Sequence, residues 1–144
     1  MEHVKSSAAI RRFLLGTSAL CVFGSVYAFG QPSGSSVVSG QVSIATPSVN
    51  NTIITQSTQK ALIEWQNFSV AAGGTVQFSQ PNSSAITLNR VVGADASAIN
   101  GSLLANGQVW LINPNGVLFG KGSNINVGGL IATTSDITNQ EFAN

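Results

Sequence analysis

From Val42 onward, apolar residues occupy alternate positions in short runs, and each run stops at a cluster of Gly, Asn, Pro or Ser. Val42 and Ile44 are spaced for one face of a strand, and Ile53-Ile54-Thr55 follows. Ala61, Ile63 and Trp65 then alternate with Leu62, Glu64 and Gln66. Val76 and Phe78 share a face and are closed by Gln80-Pro81-Asn82, while Ile86, Leu88 and Arg90 oppose Thr87, Asn89 and Val91. Further runs centre on Ile99, Val109 to Ile112, Val117 to Phe119, Ile125 to Val127 and Leu130 to Ala132. A period of two in short segments predicts strands. Only Thr58 to Glu64 hints at a helix, and its continuation through Ile63-Glu64-Trp65 favours a strand. Residues 29–40, rich in Gly, Ser and Pro, read as a loose lead-in.

The chain is therefore expected to be all-β. Asn and Gly recur after apolar pairs in "LNRV", "INGSL", "INPNG" and "INVGG". Stacked coils would place such turn residues above one another, with Asn side chains in a ladder. No fixed period emerges, so the pattern alone leaves a parallel β-helix and a β-sandwich equally open.

The amino terminus stands apart. Lys5, Arg11 and Arg12 precede an apolar segment from about Phe13 to Phe23, and Val26-Tyr27-Ala28 places small residues at −3 and −1. This is the layout of a secretory signal peptide of residues 1–28, cleaved after Ala28 and read by the general secretion machinery. The apolar stretch falls short of the ~20 residues a spanning helix needs.

Cleavage changes the chemistry that remains. Only 8% of the chain is charged, with a formal net charge of +1. After residue 28 there remain Lys60, Arg90 and Lys121 against Glu64, Asp95, Asp136 and Glu141. That balance offers no basic surface for nucleic acid. His3 and Cys21 are the only residues of their kinds, so residues 29–144 hold neither. His-based triads, thiol nucleophiles, ordinary zinc sites and disulfides are thereby excluded. A pair such as Glu64 and Asp95 is the nearest approach to acid–base or calcium chemistry, and scattered surface carboxylates explain it better. "GVLFGKGS" lacks the phosphate-loop spacing, having three residues between its first glycines and Gly122 after Lys121. Trp65 and Trp110 lie in alternating apolar runs and read as core or coil-stacking aromatics. The Asn-x-Ser/Thr triplets at Asn50, Asn67, Asn82 and Asn100 are attributed to composition. No catalytic residue, cofactor or metal is assigned.

One stretch is more specific. "NGQVWLINPNGVLFGKGSNINVGGLIATTSDITNQEF" resembles the secretion domain of two-partner-secretion exoproteins, the filamentous haemagglutinin or haemagglutination-activity domain. "IEWQNFSVAAGGTVQFSQPNSSAITLNRVVG" and "GGLIATTSDI" are similar to that family too, especially its high-molecular-weight adhesin branch. The resemblance runs from about Val38 to Asn144. It implies a right-handed parallel β-helix with an amino-terminal cap, residues 29–144 forming the amino-terminal part of the domain and stopping short of its usual end.

The resemblance also implies a role. Such a domain directs a large exoprotein to a dedicated outer-membrane β-barrel transporter, whose periplasmic domains bind the extended chain before it folds outside the cell. The family's Asn-Pro-Asn-Gly-aliphatic motif is matched by Asn113, Pro114, Asn115, Gly116 and Val117, implied to form a turn needed for secretion. Asn89 and Arg90 match a recurrent pair to which no separate role is given. Any host-surface receptor is expected to be met by downstream sequence. The alternatives are the leading domain of a haemolysin or contact-dependent toxin, and a glycan-binding β-helix module.

Overall fold

The computed structural model describes residues 30–144, so the signal segment and its Ala28 junction lie outside the described residues. Twelve strands and one short helix follow in order: β1 (Ser36–Ser39), β2 (Val42–Ser48), β3 (Asn51–Gln56), β4 (Lys60–Trp65), β5 (Thr75–Ser79) and β6 (Ile86–Val91). Then come β7 (Ser97–Ile99), β8 (Ser102–Ala105), β9 (Gln108–Ile112), β10 (Val117–Phe119), β11 (Asn124–Asn126), β12 (Gly129–Thr133) and α1 (Asn139–Ala143).

The strands form a parallel β-solenoid rather than a sandwich. β3, β5, β8 and β11 stack in parallel as one face, and β4, β6, β9 and β12 stack as a second. β7 and β10 form a third face, extended to the first coil by a bridge between Val70 and Ile99. The first three coils visit the three faces in turn and the fourth adds β11 and β12, so every parallel partner lies one coil away. The irregular period has a physical cause. Lys60, Ile86, Gln108 and Gly129 occupy one column, so successive rungs are 26 (60 to 86), 22 (86 to 108) and 21 (108 to 129) residues apart. The longer β5–β6 connection, residues 80–85, absorbs most of the difference.

Residues 30–40 are not a loose lead-in. β1 pairs antiparallel with β4, and β2 pairs antiparallel with β3, closing the amino-terminal end of two faces. Ser33 N–H also donates to the Asn67 carbonyl at 2.9 Å. An edge strand exposes unpaired backbone groups, and pairing it is favourable whatever the side chains. Pro47 is tolerated because β2 is itself an edge strand.

The core is a filled column inside the coils. Ile54, Ile63, Trp65, Phe68, Val70, Val76, Phe78, Ile99, Leu103 and Leu111 are buried in one cluster. Polar groups inside it are satisfied: Trp65 Nε1 donates to Asn89 Oδ1 at 3.0 Å, and Thr87 is bonded by both Gln56 and Gln80. Asn89 of "LNRV" is thus an interior strand residue, not a turn. The other three Asn-containing runs do reach corners. Their side chains do not form an Asn–Asn ladder, because the neighbouring backbone is the better-placed partner. Asn113, for example, donates from Nδ2 to the Asp95 carbonyl at 2.9 Å.

Candidate functional site

The Asn113-Pro114-Asn115-Gly116 stretch turns the chain from β9 on the second face to β10 on the third. Gly116 N–H donates to the Asn113 carbonyl at 2.9 Å, closing a four-residue turn. Each residue suits its place: Pro114 pre-sets φ at the second position, and Asn113 at the first caps the turn through Oδ1, which accepts from Asn115 N–H at 2.9 Å. Gly116 has φ +111°, a conformation that side-chain-bearing residues rarely adopt.

The turn is also stitched to the coils on either side. Asn113, wholly buried, donates from Nδ2 to the Asp95 carbonyl at 2.9 Å and to Ser97 Oγ at 3.0 Å. Its N–H donates to the Thr133 carbonyl of the following coil at 3.0 Å. Asn115 Nδ2 reaches the Gly93 carbonyl at 2.9 Å, and Ser97 N–H donates to the Gly116 carbonyl at 2.9 Å. Val117 opens β10, pairs with Ser97 and packs half-buried on the core. Gly93 is required by close approach, because a Cβ there would overlap the Gln66 carbonyl of the first coil. The motif is therefore one layer of a corner built from several coils. Sequence reading missed Gly93 and Ser97, whose partners are remote in sequence.

Asn89 and Arg90 point to opposite sides of β6. Asn89 is the interior acceptor for Trp65. Arg90 lies on the outer face of the second sheet, where Nε meets Asp136 Oδ1 at 3.0 Å, Nη1 meets Asn139 Oδ1 at 2.7 Å and Nη2 donates to the Ile137 carbonyl at 2.6 Å. Glu64 stands 3.9 Å from the same guanidinium. The outer face carries a stripe, Leu62–Leu88–Trp110–Ile131, one residue per rung. Phe142 of α1 lies over the stripe with Leu62, Leu88 and Ile112, its ring edge-on to Trp110 with centroids 5.7 Å apart. Trp110 is thus a coil-stacking aromatic outside the core. Lys60 Nζ donates to the Phe142 carbonyl at 2.8 Å.

Magnitudes rank these contacts. Burying a Phe is worth about 1.5–3 kcal/mol, whereas an ion pair as exposed as Arg90–Asp136 is screened to about 1 kcal/mol or less. The stripe holds the segment, and Arg90 sets its position. Thr138 and Glu141 form a reciprocal capping box at the start of α1. The backbone N–H of Thr138, and then its hydroxyl, hold the Glu141 carboxyl below its ordinary range. The Thr138-x-x-Glu141 spacing was the available signal for this missed helix.

Asp95 sits in the corner loop, while Glu64, Asp136 and Glu141 line a shallow pocket beside Arg90. Among the described residues, no three His, Cys, Asp or Glu side chains gather as a metal site. The arrangement offers backbone and amide hydrogen bonds together with shape.

Comparison with known proteins agrees with this architecture. The TPS secretion domain family matches residues 28–144. A heme/hemopexin-binding protein of Haemophilus influenzae (strain Rd) is 44% identical over 116 residues, covering 79% of this chain and 13% of that protein. A second heme/hemopexin-binding protein from Haemophilus influenzae is 44% identical over 106 residues, covering 74% and 11%. The crystal structure of the HMW1 secretion domain from Haemophilus influenzae superposes with a TM-score of 0.74 at 39% identity, covering 78% of this chain and 30% of that one. The chain spans little more than a tenth of the curated relatives' length, and it belongs to the TPS secretion domain family.

Proposed function

We propose that residues 29–144 are the amino-terminal part of a secretion-signal domain that addresses a larger exoprotein to its own outer-membrane β-barrel transporter. The observation that carries this reading is the family match across residues 28–144, joined to the shared solenoid fold. In this reading residues 1–28 are a signal peptide cleaved after Ala28, the chain crosses the periplasm unfolded, and the solenoid forms at the cell surface or in the medium. The domain works by pairing and folding rather than by catalysis. An extended chain presents N–H and C=O groups to which a partner can add strands. The absence of Cys from residues 29–144 keeps it threadable. Asn113, Pro114, Asn115, Gly116 and Val117 serve export by forming the corner that joins the third coil to the second.

Binding to the transporter's purified periplasmic domains tests this. Urea-unfolded chain diluted onto immobilised domains is expected to be retained, and prefolded chain to pass through. Failure of both forms to bind would contradict the address.

The relatives' names bear on the cargo. Residues 30–144 contain no His, Cys, Met or Tyr, the side chains by which proteins ordinarily hold haem iron. Any axial ligand to haem iron in a longer protein would therefore have to come from sequence outside these residues.

A further inference from the structure

We propose that residues 135–144 are a detachable clasp that closes on the solenoid after its first three coils have stacked, and that Arg90 registers it. Its contacts come from three successive rungs: Lys60 of β4 with the Phe142 carbonyl, Arg90 of β6 with Asp136, Ile137 and Asn139, and Trp110 of β9 with the Phe142 ring. No single rung supplies this binding face, so the clasp has nothing to close on until all three are in register.

The segment is built to come off. Among the described residues it pairs with no strand and is held to the second face by the side chains of Lys60, Arg90 and Trp110. Of residues 135–144 only Phe142 is buried and only Ile137 half-buried. The solenoid beneath has its own parallel ladders and a core cluster to which the segment contributes nothing. Opening bares Leu62, Leu88 and Trp110, a stripe that already continues as exposed Ile131.

Residue-resolved hydrogen exchange on the folded chain tests the device. The Phe142 and Asn144 amides, bonded to the Thr138 and Gln140 carbonyls, are expected to exchange together through an opening smaller than the one that frees amides of β4, β6 and β9. Arg90→Lys keeps the charge and loses the fork, and should speed clasp exchange by about tenfold while leaving the strands within about twofold. Phe142→Ala should give the same pattern without touching Arg90. Clasp amides that exchange at the strands' free energy would overturn the proposal. So would variants that accelerate strands and clasp equally, since the segment would then be an integral part of the solenoid.

Discussion

Asn113 and Ser97 lie in successive coils and meet at 3.0 Å, Nδ2 to Oγ, with both residues wholly buried. The Asn113–Gly116 turn is thus completed by a residue outside it. Ser97→Ala and Asn113→Ala are each expected to destabilise the fold by about 1–3 kcal/mol, the cost of leaving a buried partner unmet. Urea unfolding of the two single variants and the double variant measures the coupling. Additive losses would show that the two side chains do not act together.

Gly93 presents a steric version of the same corner. Gly93→Ala drives a methyl into the Gln66 carbonyl, whereas at Gly122 the nearest atom, the Asn100 carbonyl, is 3.5 Å from an added Cβ. The first substitution should cost about 1–3 kcal/mol and the second less than about 0.5. Thermal melting of the pair decides it, and equal losses would refute the close-approach account.

Inside the coils, the Trp65 indole N–H depends on Asn89 for its acceptor. Asn89→Ala should cost about 1–3 kcal/mol because the buried indole N–H loses its acceptor, and Asn89→Asp at neutral pH should cost more, since it buries an unpaired carboxylate against the Thr87 and Trp110 carbonyls. Loss of the indole N–H resonance's exchange protection in Asn89→Ala, and not elsewhere in the core, would locate the effect.

Much of the fold was legible in the sequence. The alternation in β5 is plain because Val76 and Phe78 lie in the core while their neighbours face outward. The period was hidden because corner loops vary between coils, lengthening the step from Lys60 to Ile86. The inward face of β6 was not legible either. Thr87 and Asn89 look outward by polarity, yet they line the interior, while Leu88 is buried on the outside by a segment more than forty residues later. β1 is exposed at all four positions, so it carries no alternation, and only backbone pairing makes it a strand. The Asn113–Gly116 turn was readable from local chemistry. Its partners Gly93 and Ser97 were not, since nothing local announces a contact one coil away.

The Glu141 carboxyl gives the clasp a pH dependence. Because its folded value is depressed, its contribution is complete above the ordinary glutamate value of 4.5 and disappears as pH falls through the lower folded value. Exchange of the Phe142 amide, corrected for intrinsic rate, should therefore rise between about pH 5 and pH 3 in the parent chain. In Glu141→Gln that rise should be lost. A rise of equal size in both would contradict the assignment of the effect to Glu141.

Export itself tests the central claim most directly. The chain, continued by its natural downstream sequence, is expressed with and without its partner transporter, and periplasm and medium are immunoblotted. Appearance in the medium only with the transporter, reduced by Asn113→Ala, is the predicted result. Equal release with and without the transporter, or retention in the periplasm in both, would contradict the assignment of residues 29–144 as a secretion address.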